Sequence, residues 1–237
     1  MKEHLATAYP RQLRTMFTMV GRHFTEKAFG GKKAIISLTT PFMVLEKWRE
    51  NGHACEIPLL DEAVKNIVIA TASSIFGWEK TCCLHLRVVL ENIFYGAFLM
   101  SNPTHLSRFN STGELNFRRF SSLLADFPNI SKETRKANRL LKICDCAESL
   151  YHSLSKWTHT LGEDFVSDLS ILGYSKLSNA STGRLRDYYT QIGKLCTTTY
   201  LSIKPNIFTA VSATEQRYFL QPLSISERKL LRDALGI

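Results

Sequence analysis

Apolar residues recur at helical spacing along almost the whole chain, and the strict alternation of a half-buried strand is scarce. Turn chemistry punctuates the pattern. In TTPFMVLEKWRENG, Thr40 has the character of an N-cap, Pro41 of a first-turn proline and Gly52 of a C-terminal stop. A long helical stretch follows from about Leu59 to Met100, with a break expected near Gly77 and an end at Ser101–Asn102–Pro103. NFRRFSSLLADFP predicts a short helix ending before Pro128, and Ser131 is placed to cap one long helix running to His159. A further helix is expected from about Gly183 to Ile203, stopped by Pro205. Ser224 and Glu227 have capping-box spacing ahead of RKLLRDAL. The fold class this predicts is all-α, an antiparallel helical bundle over 53–237 with residues 1–52 as an N-terminal helical extension.

Composition agrees with a packed core, since 44% of the 237 residues are hydrophobic. The most apolar run, CCLHLRVVLENIFYGAFLM, contains His85, Arg87, Glu91 and Asn92, which argues against a membrane span. The opening MKEHLATAYP has no apolar signal core. Six cysteines without framework spacing suggest reduced thiols and a cytoplasmic setting. Cys144-x-Cys146, Cys82–Cys83 and His53-Ala-Cys55 lack the paired spacings of structural zinc, so no metal or other cofactor is expected. GxGxxG and GxxxxGK[ST] phosphate loops are absent, as is a nucleophile turn for Ser/His/Asp catalysis. The helical settings of Trp48, Trp78 and Trp157 suit core positions better than base-stacking platforms.

Charge changes the picture. The net charge is +9, and segments 1–50, 104–142 and 176–237 each carry a basic excess around more acidic intervals. Such blocks suit phosphate, so nucleic acid, RNA or DNA, is the expected partner. Arg118, Arg119, Lys132, Arg135, Lys136 and Arg139 are the expected contacts.

Two helices carry candidate chemistry. Arg87 and Glu91 lie about 40° apart on a wheel, within a stripe shared by Phe94 and Phe98. A charged pair among aromatics must be matched by a partner or serve a polar site. An ion pair fixing how helices meet is the plainer reading. In SLYHSLSKWTH, His152 and His159 share a stripe with Asp145, Glu148 and Lys156. A solvated face is the plain account; acid–base work is the sharper one.

LRVVLENIFYGAFLMSNPTHLSRF and LYHSLSKWTH together resemble two helices of the bacterial HEPN-like proteins. The matching positions are Arg87, Glu91, Asn102, Pro103, Tyr151, Leu154, Ser155 and His159, within about residues 60–160. The resemblance implies an antiparallel bundle and a place in toxin–antitoxin, abortive-infection or other anti-phage systems, with a protein partner or homodimer. Many such proteins are metal-independent endoribonucleases whose signature is an arginine and a following histidine with four to six residues between them. Here no histidine has an arginine at that distance; the corresponding position before His159 is His152. The expectation is therefore an RNA-associated accessory subunit without full catalytic machinery. The alternative is an endoribonuclease using His159 and His152 with Arg87, Glu91 and Lys156.

Overall fold

The computed structural model describes residues 38–51, 58–75, 78–113, 135, 141–159 and 179–236. Among these the chain is helical, with no strand. A 3₁₀ turn at Thr40–Phe42 leads into α1 (Met43–Asn51), followed by α2 (Pro58–Ile75), α3 (Glu79–Ser101) and α4 (Pro103–Thr112). Then come α5 (Ile143–His159), α6 (Asn179–Ile203), α7 (Asn206–Ala210), α8 (Ala213–Leu220) and α9 (Ile225–Leu235).

The sequence explains most ends. Pro41 occupies the first turn before α1, and Pro103 opens α4 directly after the Asn102 cap. Gly113 ends α4 at φ 68, a left-handed conformation in which a Cβ is strained. Ser224 and Glu227 form the expected capping box of α9. Ser212 and Glu215 form a second one on α8, which the apolar periodicity did not single out. The helix expected to run unbroken from Ser131 to His159 is instead interrupted. Lys142 adopts φ 49, and α5 starts after it with Cys146 N–H donating to the Lys142 carbonyl. Buried Leu141 and Ile143 flank this corner, so apolar packing on both sides favours the turn over helical continuity.

α3 lies at the centre, packed against α2, α5 and α6. Side-chain pairs set the senses. Ser74 meets Cys82 and Asn66 meets His85, so α2 and α3 are antiparallel. Tyr151 meets Arg87, while Trp157 meets Arg184, itself bonded to Glu79; α5 therefore also runs against α3. Glu79–Arg184 and Ile93–Tyr200 make α3 and α6 parallel. By length and composition α3 alone among the described helices would cross a membrane, yet 72% of its qualifying window is buried within the fold. Residues 40–51 belong to the same core, with Val44, Leu45 and Trp48 buried in it.

α3 leaves room for the Tyr200 side chain of α6 at Gly96. The Tyr200 hydroxyl donates to the Ile93 carbonyl at 3.0 Å, and a Cβ on Gly96 would sit 2.9 Å from that oxygen. Trp48 closes on the Tyr200 ring edge-on at 5.3 Å. Pro41 plays the matching part at Gly193, its Cβ lying 3.2 Å from where a side chain would begin.

Two glycine substitutions separate packing from propensity. In a helix interior, alanine gains about 1 kcal/mol over glycine. Gly183→Ala, with nothing within 4 Å of its Cβ, should raise the urea midpoint. Gly96→Ala should lower it, by about 1–3 kcal/mol of overpacking against a buried ring that cannot swing away. Equal effects at the two sites would contradict the close approach.

Candidate functional site

Three polar side chains of α3, Glu79, His85 and Arg87, are met by neighbouring helices, whereas the buried Asn92 Nδ2 has no hydrogen-bond partner among the described residues. Arg87 Nε donates to Glu91 Oε1 at 3.2 Å, one turn along α3. A terminal guanidinium nitrogen donates to the Tyr151 hydroxyl of α5 at 2.6 Å, and the guanidinium lies 4.7 Å from the Tyr151 ring centre. The arginine thus makes an ion pair, a hydrogen bond and a cation–π contact on the inner side of the bundle. Both side chains of the ion pair are largely shielded, at 21% and 24% exposure.

A second arginine repeats the arrangement at the other end. Glu79 is buried at the start of α3 and accepts from Arg184 Nε and a terminal nitrogen at 3.0 and 2.8 Å. The Arg184 guanidinium lies 4.5 Å from the Trp157 ring centre. The Trp157 indole N–H in turn donates to the Tyr188 hydroxyl of α6. α5 is therefore held by two arginine–aromatic stacks, one reaching from α3 and one from α6.

The third arrangement was not singled out in the sequence. Asn66 Nδ2 donates to the Glu62 carbonyl at 2.8 Å and to Glu62 Oε1 at 2.9 Å. Asn66 Oδ1 is then the acceptor facing His85 Nδ1 at 2.6 Å. A carbonyl oxygen cannot donate, so Nδ1 carries the proton and Nε2 keeps its lone pair. Burial lowers the His85 pKa from the ordinary histidine value, and the Glu62 charge opposes this. The pairing depends on the register of two antiparallel helices, and no local spacing announces it.

Of the residues nominated from the sequence, the structure brings together Arg87 and Glu91. It adds Tyr151 as their partner on α5, eight positions before His159 and about 12 Å along the helix axis from it. His159 ends α5, with its side chain outside the described residues. His152 and Lys156 are exposed on α5, as is Arg135 at its isolated position. Arg118, Arg119, Lys132, Lys136 and Arg139 lie outside the described residues. Trp48 is buried and Trp157 is half-buried beneath Arg184, but Trp78 is 41% exposed at the start of α3, not a core residue. It is the N-cap of α3 and so precedes the helix body that packs into the core.

Cys82, Cys83 and Cys196 are buried, and Cys144 and Cys146 are half-buried. Burial pushes the Cys82 thiol up to about 12 and Cys144 up to about 11, so neither supplies a thiolate at neutral pH. No group of three or more His, Cys, Asp or Glu suited to a metal ion occurs among the described residues. Comparison with family models, curated proteins and solved structures finds no match for this chain.

The His85 relay yields a test with a definite sign. Because the folded-state pKa is lowered, the unfolded chain binds this proton more readily below the ordinary value near 6.5. Stability should fall as pH drops through that range, and His85→Gln should remove part of the dependence. Nitrogen-15 imidazole shifts near pH 7.5 should show Nδ1 protonated, with that preference lost in Asn66→Ala. A native imidazole protonated on Nε2 alone would overturn the relay.

Proposed function

We propose that this chain is a nucleic-acid-associated helical protein, with RNA the favoured ligand, that acts without a complete catalytic apparatus. The observation that carries this reading is the engagement of Arg87. It is the only arginine of α3, the helix whose arginine would serve phosphate chemistry in the HEPN-like resemblance. Here it is bonded to Glu91 and Tyr151 within the fold. Drawing it to a phosphate would break an ion pair and an inter-helix hydrogen bond, together worth about 1.5–3 kcal/mol or more. The surface remains basic meanwhile, at +9 overall. A surface of that sign attracts phosphates through counterion release whether or not any bond is cut. The HEPN-like resemblance supports a role as accessory subunit of a bacterial anti-phage assembly.

A labelled single-stranded RNA titrated by fluorescence anisotropy tests the binding. Affinity should fall steeply with salt, with log K against log salt sloping at about −0.7 for each phosphate contacted on a single strand. The RNA should remain intact throughout, and His159→Ala should leave binding unchanged. Absence of binding at low salt would reject the reading; cleavage lost in His159→Ala would replace it with the endoribonuclease alternative.

A further inference from the structure

The C-terminal pair α8–α9 segregates its charges. Between Ser212 and Gly236 the acidic residues are Glu215, Glu227 and Asp233. Two of these are engaged inside the fold. Glu215 accepts from the Ser212 backbone and hydroxyl at 2.9 and 2.8 Å and pairs with Lys47 of α1 at 3.1 Å. Glu227 accepts from the Ser224 backbone at 2.9 Å and pairs with Lys194 of α6. Both carboxyls sit below the usual range. For Glu215 the Ser212 backbone bond is the main cause; for Glu227 the Lys194 and Ser224 bonds outweigh a burial that alone would raise it.

Three of the four basic residues of the same segment are exposed. Arg217, Lys229 and Arg232 are exposed, with Asp233 the one acidic residue exposed beside them. Arg228 folds back over the connecting turn, donating to the Leu223 carbonyl at 2.9 Å and the Gln221 carbonyl at 3.3 Å. Its guanidinium therefore sits between the last turn of α8, which bears Arg217 and Tyr218, and the body of α9. The Tyr218 side chain is 39% exposed. Basic residues in a last turn also favour the helix dipole, but that role gives no account of the part-exposed Tyr218 ring next to Arg217 in the chain.

Resting on the nucleic-acid reading above, we propose that the outer face of α8–α9 is a single-stranded RNA-binding surface. Arg217, Arg228, Lys229 and Arg232 contact successive phosphates, and Tyr218 offers a stacking platform for a base. An anionic membrane shares the charge requirement. It is disfavoured because α9 exposes a single large apolar residue, Ile225, too little apolar surface to seat a helix in a bilayer.

The test uses the full chain and a fluorescein-labelled oligouridine of about 15 nucleotides. Three variants are compared with the parent protein: Arg217→Gln/Lys229→Gln/Arg232→Gln together, Tyr218→Ala alone, and Lys65→Gln/Lys80→Gln as a control. The control residues are exposed on α2 and α3. The triple variant should weaken binding at low salt by about tenfold or more, and its salt slope should shrink by about 2, three contacts at 0.7 each. Tyr218→Ala should weaken binding by about tenfold with the slope unchanged, and the control should bind like the parent. All variants should keep the parent's melting temperature, since the altered residues are exposed. A parent that binds RNA while the triple variant matches it in affinity and slope would overturn this surface and leave the RNA reading standing. A parent that binds no RNA at low salt would overturn both. Binding to phosphatidylserine vesicles in place of RNA would overturn the proposal in favour of a membrane.

Discussion

Burial of α3 is the constraint on which the structure depends. From Asn92 to Leu99 every residue of this helix is buried, and its N-terminal half still carries Glu79, His85, Arg87 and Glu91. A polar group withdrawn from water without a partner costs more than a typical hydrogen bond gains. Glu79, His85 and Arg87 are therefore each met by a particular residue on a particular neighbour, and Glu91 by Arg87 on its own helix, while the buried Asn92 Nδ2 is left without a hydrogen-bond partner among the described residues. Asn66 of α2 answers His85, Tyr151 of α5 answers Arg87, and Arg184 of α6 answers Glu79. Apolar area supplies the stability of the bundle, whereas these pairs select which helix lies where and in what register. The Tyr200 bond to the Ile93 carbonyl adds a contact that a Cβ at residue 96 would crowd.

The same requirement divides the arginines into two populations. Arg87 and Arg184 stack on Tyr151 and Trp157 and bond to carboxylates, so their charge is neutralised within the fold. Among the described residues, Arg217, Arg228 and Arg232 have no carboxylate at salt-bridge distance, and Glu215 and Glu227 are held by Lys47 and Lys194. Guanidinium groups of the first kind position helices; on the proposed reading, those of the second kind present positive charge to a ligand. On this division rests the reading of the protein as one that holds nucleic acid through its surface.

Local chemistry made much of the helix layout legible, and long-range register accounts for what it missed. Pro41, Pro103, Pro205 and the Ser224–Glu227 box act through their nearest neighbours, and the sequence displays them directly. The Arg87–Glu91 pair was equally visible, being one helical turn. Its partner was not: Tyr151 stands opposite Arg87 through the register of two antiparallel helices, which no local spacing displays. The Glu62–Asn66–His85 relay escaped notice for the same reason, since it joins two helices through one amide. Lys142 was missed because a left-handed lysine has no sequence signature, and the periodicity on either side suggested one continuous helix. The capping box at Ser212 and Glu215 was legible by spacing, but it lay within a short segment with little apolar periodicity.

The central claim is that Arg87 serves the packing of α5 on α3. The most direct measurement is a double-mutant cycle in urea unfolding, with Arg87→Met, Tyr151→Leu and the pair. Methionine keeps the aliphatic stem while removing the fork. Residues in direct contact couple by about 0.5–3 kcal/mol, and independent sites add to within about 0.5. The bond and the stack together predict a favourable coupling of about 1–2 kcal/mol. Two single effects that simply add would contradict the account, returning Arg87 to the pool of groups open to a phosphate.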